Sequence, residues 1–210
     1  RQQVEEQLQQ VSYVNACEFG NDASTELANM LKELHHKEIS KIIYTCTGSE
    51  AVEVAIKLIR KYASLGSNPQ KREIAIIKNS YHGSYYGSMS CSDYDGQERA
   101  GYGPLIPGIR ELSMPFCTCC RTGQVSEECT RRMKERLEEE LQECKENLAG
   151  IMLEPVLGSA GVFPLPKWYI KRVEAFAKEN DVLIVFDEVA TGFGRTGSMF
   201  CYQQYGVEPD

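Results

Sequence analysis

The sequence predicts an α/β fold in which a mostly parallel sheet is flanked by helices. Short apolar runs rich in β-branched residues alternate with longer stretches of helical periodicity, the order that builds parallel sheets with helices on both faces. The last two such runs end abruptly in acids, Glu154 and the pair Asp187-Glu188. Acids just past a strand sit where α/β sheets bind their ligands.

Val4, Leu8 and Val11 mark a polar, amphipathic opening, expected to be a lead-in helix and loop over residues 1–23. Leu27, Met30, Leu31 and Leu34 recur at helical spacing behind the caps Asp22 and Ser24 and predict a helix over 24–35. Ile42, Ile43 and Tyr44 predict a strand over 41–46, followed at once by a helix over 50–62 with Val54, Ile56, Leu58 and Ile59 on its apolar face. Ile74, Ala75, Ile76 and Ile77 predict a strand over 73–78. The glycine- and tyrosine-rich stretch 81–108 reads as a long functional loop with one helical turn. Residues 126–148 predict a charged helix, its Glu and Lys/Arg alternation forming i,i+4 pairs on a solvated face. A strand over 150–154 is stopped by Pro155, Pro166 opens a helix over 167–179, and a strand over 182–186 closes the series.

With 210 residues and 42% hydrophobic composition, the chain is expected to form one compact unit. A net charge of −7 argues against a nucleic-acid surface or an anionic membrane, while a small anion can still bind through backbone amides. No stretch reaches the apolar length of a membrane span. Nine cysteines, an odd number scattered through helix- and strand-like segments, suggest a reducing compartment, the cytoplasm or an organelle matrix. The first residue is Arg1, not Met, so the chain is expected to be part of something longer.

Four motifs carry chemistry, each with a plainer alternative. Thr47-Gly48-Ser49-Glu50 joins a strand to a helix, where free amides and the positive end of the helix dipole suit a phosphate; Thr47-x-x-Glu50 is equally a capping box. Asn79-Ser80-Tyr81-His82-Gly83 offers an aromatic face and an imidazole, or a solvent-facing turn. Tyr85 and Tyr86 read as loop packing. A carboxylate at the end of a dry strand, Asp187, is costly unless paired, and a protonated pyridine nitrogen is a suitable partner; an N-cap or a structural ion pair is the alternative, as it is for Glu154. Glu188 reads as structural. Gly192, Gly194 and Gly197 predict left-handed or closely packed backbone. Their spacing copies a dinucleotide fingerprint, but the acids precede the glycines instead of following them, so that reading is rejected. Cys117, Cys119, Cys120 and Cys129 lack the spacing of a zinc ribbon or finger and are read as thiols without metal.

In this order, Thr47-Gly48-Ser49-Glu50-Ala51, Tyr81-His82-Gly83, Glu154-Pro155-Val156-x-Gly158 and the run from Asp187 to Gly197 resemble the central part of class III (omega-amino acid type) aminotransferases. These are pyridoxal 5'-phosphate (PLP) enzymes of fold type I, the aspartate aminotransferase superfamily, and the resemblance covers nearly the whole chain. It implies that 24–210 is an incomplete PLP-binding large domain. It further implies that Gly48 and Ser49 bind the cofactor phosphate, Tyr81 stacks on the pyridine ring, Val189 packs on its other face, and Asp187 holds the ring nitrogen. Glu154 corresponds to the family's acid near cofactor and substrate; His82 receives no role.

The implied activity moves an amino group from an amino acid or amine donor to an oxo acid or aldehyde through PLP and its pyridoxamine form, usually in a homodimer. A same-fold racemase, epimerase or aminomutase needs the same residues, and a non-catalytic remnant serving binding or dimerisation is the third reading. Two departures from the family pattern matter. Ala190 stands where many members have Gln, which bears on substrate type. The family's Schiff-base lysine is expected beyond Asp210, since none of the lysines present, all at or before Lys178, is a plausible substitute; the chain as written is expected not to transaminate.

Overall fold

Helices α1 (Gln2–Gln10) and α2 (Asp22–Leu34) supply the regular structure of a first unit, Arg1–Ile43, in the computed structural model, which describes residues 1–15, 18–35, 39–93, 96–117 and 125–210. Neither helix has a buried residue. The cap of α2 is Asn21, whose side chain accepts from Ser24 N at 3.1 Å, so Asp22 and Ser24 lie inside the helix instead of capping it.

The second unit, Tyr44–Asp210, is built on a four-stranded, all-parallel sheet. Its strands are β1 (Glu73–Ile77), β2 (Ile109–Leu112), β3 (Leu148–Leu153) and β6 (Leu183–Phe186), in the order β2-β1-β3-β6. Ile74 pairs with Ile109, Ala75 with Ile151, and Leu153 with Phe186. Alternate residues of β1 feed two separate cores. Ile74 and Ile76 pack with Val52, Ile56 and Ile59 of α3 (Gly48–Leu65), while Ala75 and Ile77 pack with Leu137 and Leu141 of α5 (Glu127–Cys144) and Val173 and Phe176 of α6 (Lys167–Asn180). Burial on both faces is why β1 and β3 read as unbroken apolar runs, not alternating ones.

The remaining elements are α4 (Tyr86–Ser90), a two-stranded hairpin of β4 (Val156–Leu157) and β5 (Phe163–Pro164), and α7 (Tyr202–Tyr205). The α4 turn lies within the stretch read as a loop with one helical turn. Along α5, Arg131 pairs with Glu135, Arg132 with Glu128, and Arg136 with Glu140 at i,i+4 spacing.

Two sequence expectations are corrected, and one strand has no counterpart among them. The segment 41–46 joins no ladder: Ile43 and Tyr44 are about half exposed, and none of the described strands pairs with it. A β-prone run becomes a strand only where a partner takes its backbone groups. Strand β2 was hidden because it is the sheet's edge, with Arg110 and Glu111 in solvent. Helix α5 ends at Cys144, not 148, because Asn147 O turns to accept from Arg72 N at 2.8 Å and Glu73 N at 2.9 Å, which starts β3 at Leu148.

Helix α3 packs closely over Gly150, where a Cβ would stand 2.8 Å from Ile59 Cγ2 on a stiff β-branched side chain. Gly150→Ala is therefore expected to destabilise the protein by about 1–3 kcal/mol through overpacking, read as a lower thermal midpoint. An unchanged midpoint contradicts this packing.

Candidate active site

Beyond β1 the chain reverses through Asn79, held at φ 68°, with Ser80 N donating to Ile77 O at 3.0 Å. The reversal carries Tyr81, His82 and Gly83 back over the sheet's C-terminal edge. Gly83 has φ 129°, and a Cβ there would lie 2.6 Å from Ser49 Oγ and 2.9 Å from Ser49 Cα. Only glycine lets this turn close on the start of α3. Ser84 N then donates to Ser49 Oγ at 3.1 Å, and His82 N to the buried Ser92 Oγ at 2.7 Å.

Three strand ends meet through hydrogen bonds. Asp187 N, past β6, donates to Leu153 O of β3 at 2.9 Å. Glu154, past β3, accepts from Tyr81 N at 2.9 Å through Oε1 and from Gly158 N at 3.0 Å through Oε2. His82 Nδ1 lies 2.8 Å from Asp187 Oδ2, and Val189 N donates to Asp187 Oδ1 at 3.1 Å. The imidazole has no exposed side-chain surface, and the Asp187 carboxylate keeps 9% of its own, which opens on the cavity between these elements.

That cavity, of about 410 Å³, is walled by the start of α3, the turn after β1, the β4–β5 hairpin and the segment after β6. Gly48, Ser49, Tyr81, Glu154, Asp187 and Val189 all line it, together with His82, Ser159 and Ala190. Val189 is 74% exposed and reaches over Gly48, where a Cβ would come within 3.2 Å of Val189 Cγ2. Both readings of the α3 start hold at once. Thr47 Oγ1 accepts from Glu50 N at 3.1 Å and Glu50 Oε2 from Cys46 N at 2.7 Å, a reciprocal cap. The amides of Gly48 and Ser49, first in the helix, have no intrahelical carbonyl to bond and stand at the cavity rim.

Glu188 faces away from this chemistry. Its carboxylate accepts from Thr191 Oγ1, Cys201 N and Tyr202 N at 2.8 to 2.9 Å, tying down the glycine loop. In that loop Gly194 and Gly197 have φ of 84° and 99°, while Gly192 is needed because a Cβ would meet Glu188 O at 2.9 Å. A larger crevice of about 660 Å³ lies at the opposite, N-terminal ends of the strands. Its Arg60 is already spent on the carbonyls of Arg72 and Pro107, bracing α3 to the sheet. Of the cysteine cluster, Cys119 and Cys120 lie outside the described residues; among those described, no group of three His, Cys, Asp or Glu side chains is placed to hold a metal. No helix among the described residues is long and apolar enough to cross a membrane.

His82 and Ser159 line the cavity although the sequence alone assigns neither a role. The pairing of His82 with Asp187 spans 105 residues, and its only sequence signal is that His82 sits inside a motif between Tyr81 and the obligate Gly83.

The profile of the family Aminotransferase class-III matches residues 1–210. Acetylornithine aminotransferase of Caldanaerobacter subterraneus subsp. tengcongensis is 34% identical over 194 residues, covering 91% of this chain and 43% of its own length. Among solved structures, an (S)-enantioselective omega-transaminase from Thermomicrobium roseum superposes with a TM-score of 0.88 at 35% identity, over 98% of this chain and 46% of that one. An amine transaminase from an uncultivated Pseudomonas species, solved with PLP bound, matches with a TM-score of 0.88 at 28% identity, over 99% of this chain and 47% of that one. The chain thus spans a little under half the length of the relatives it matches.

Burial raises the Glu154 carboxyl above the ordinary glutamate value of 4.5, with the nearby Asp187 charge adding to the rise and the Tyr81 and Gly158 amides opposing it. An acid with a raised folded-state pKa costs stability at pH above that pKa, and the cost is relieved as pH falls through it. Side-chain carbonyl NMR is expected to show Glu154 titrating above 4.5. A midpoint at or below that value contradicts the dry environment assigned to it.

Proposed function

Since the chain belongs to the class-III aminotransferases, we propose that the protein it comes from transfers an amino group from an amino acid or amine donor to an oxo acid or aldehyde, using PLP held at the strand ends. The observation that carries this reading is the nearly buried Asp187 carboxylate, fixed by His82 and Val189 N, opening on the same cavity as the unbonded amides of Gly48 and Ser49. The cavity lining thus offers an anion that suits a cationic ring nitrogen and amide donors that suit a phosphate. The side chains of Tyr81 and Val189, both lining the cavity, provide walls for a flat ring.

Bound there, PLP supplies an electron sink for the bonds around the substrate's amino-bearing carbon. This chain's residues bind and orient it. The Gly48 and Ser49 amides and the Ser49 hydroxyl, whose oxygen already accepts from Ser84 N, donate to the phosphate. Asp187 holds the ring nitrogen protonated. Glu154 has both oxygens committed to backbone amides, so its part is to hold Tyr81 and the β4–β5 hairpin in place. Ala190, with no hydrogen-bonding side chain, leaves the cavity rim beside it open, which bears on substrate type.

Among the described residues, no lysine lines the cavity. The anchoring lysine that the family resemblance calls for belongs to a part of the parent protein outside this cavity lining, the chain spanning a little under half the length of its relatives. Asp210 already lies along the free edge of β6, its N donating to Ile184 O and its Oδ2 accepting from Ile184 N, both at 3.0 Å. The protein works as a homodimer in the cytoplasm or an organelle matrix.

The full-length protein loaded with PLP is expected to convert an amino donor and an oxo acid into the exchanged pair. Asp187→Ala should lower kcat/KM by roughly 30- to 5000-fold, equivalent to about 2–5 kcal/mol, the usual cost of removing one partner of a desolvated charge pair. Near wild-type turnover by this variant contradicts the assignment of Asp187.

A further inference from the structure

We propose that Glu53 is a positioning residue for the cofactor's phosphate: by holding the turn after β1 along α3, its carboxylate keeps the Ser49 hydroxyl aimed into the cavity. The proposal rests on the PLP reading of that cavity. Three contacts join the turn to the helix, each between residues 35 apart in sequence. Ser84 N donates to Ser49 Oγ at 3.1 Å, Tyr85 OH lies 3.5 Å from Glu50 Oε1, and Ser88 N donates to Glu53 Oε1 at 2.8 Å. The common offset means that 84–88 runs beside 49–53 in register. Ser49 and Glu53 lie one helical turn apart on one face of α3, so they form the two ends of this seam.

Glu53 is the stronger end by chemistry as well as by distance. Its acceptor is charged, and an N–H bonded to a carboxylate makes a shorter and firmer hydrogen bond than one bonded to a hydroxyl. Ser88 is fully buried, and its amide, in the first turn of α4, has no helical carbonyl to bond. Without Glu53 that donor is left unsatisfied unless the turn moves. The approach is tight, since a Cβ at Gly87 would overlap Glu53 Oε2 and stand 2.8 Å from Oε1. Helix α4, Tyr86–Ser90, is too short to hold its own place and takes it from α3.

At the other end of the seam, Ser49 lines the cavity. Its oxygen accepts from Ser84 N, which takes one lone pair and leaves the hydroxyl proton to an acceptor on another side. The two ends are mechanically joined as well: a Cβ at Gly83 would lie 2.6 Å from Ser49 Oγ and 2.9 Å from Ser88 Oγ, so a shift of Ser88 is passed to Ser49 across that glycine. A hydroxyl fixed before the ligand arrives acts on the affinity for the ligand's phosphate and not on its ring.

The test uses the full-length protein with PLP and with pyridoxal, the same ring without the phosphate, binding being measured by equilibrium dialysis. Glu53→Ala is expected to weaken PLP binding about tenfold or more, the size of a lost hydrogen bond to a charged group, and to leave pyridoxal within about twofold of wild type. A merely structural role would lower both together. Glu53→Gln keeps an acceptor oxygen for Ser88 N, and its PLP affinity should stay within about threefold of wild type. In a Ser49→Ala background, Glu53→Ala should weaken PLP binding no further, because its effect passes through that hydroxyl. Glu53→Met, which fills the same length without an acceptor and has the same expected split, replaces the alanine variant should the latter not fold.

Wild-type PLP affinity in Glu53→Ala overturns the proposal, as does equal weakening of PLP and pyridoxal, a glutamine variant as weak as the alanine one, or a full additive loss on top of Ser49→Ala. If Ser49→Ala weakens PLP selectively while Glu53→Ala does not, the phosphate reading of the cavity stands and the Glu53 assignment alone falls. Wild-type protein that binds PLP no more tightly than pyridoxal overturns both.

Discussion

The hydrogen bond between His82 and Asp187 closes a clasp across three strand ends, and the geometry of the candidate site depends on it. In the sheet order, β3 separates β1 from β6, so the residues following those two strands start roughly 10 Å apart, twice the usual strand spacing. The turn through Asn79 brings His82 across that gap, over Glu154, to reach Asp187. Glu154 bonds back to Tyr81 N, and Asp187 N bonds to Leu153 O, so each strand end is joined to both of the others. Removing one link leaves a buried donor or acceptor without its partner, which is why such a network is rigid when complete.

What makes the clasp possible is the sheet beneath it. Two apolar cores, one under α3 and one under α5 and α6, bury both faces of β1 and β3 and leave the strand ends little freedom. Helix α3 is drawn close by Gly150, and its first turn is brought against the Tyr81 to Gly83 turn by Gly83. Gly48, Ser49 and Asp187 are therefore set around one cavity by packing some distance from it. Glu188 does the corresponding work for the glycine loop, holding Thr191, Cys201 and Tyr202 from one carboxylate.

Much of this was legible in the residues. Strands β1, β3 and β6 announced themselves as apolar runs because both faces are covered, and α3 and α6 did so by periodicity and by their starts at Thr47 and Pro166. Features that depend on long-range partners were not legible. Residues 41–46 have strand composition but pair with none of the described strands, whereas β2 has a strand partner and too little apolar pattern to show it. Thr47 to Glu50 could not be resolved into cap or anion site from sequence, and the fold explains why: the side chains make the cap while the amides of the two residues between them face the cavity. The role of His82 was invisible because the acid that gives it meaning lies 105 residues away.

The most direct test is a crystal structure of the full-length protein with PLP bound. The account predicts the pyridine nitrogen within about 2.6–2.9 Å of an Asp187 carboxylate oxygen, the phosphate against the Gly48 and Ser49 amides, and the His82 to Asp187 hydrogen bond intact. A ring turned with its nitrogen away from Asp187, or an Asp187 side chain released from His82 to reach it, would contradict the account.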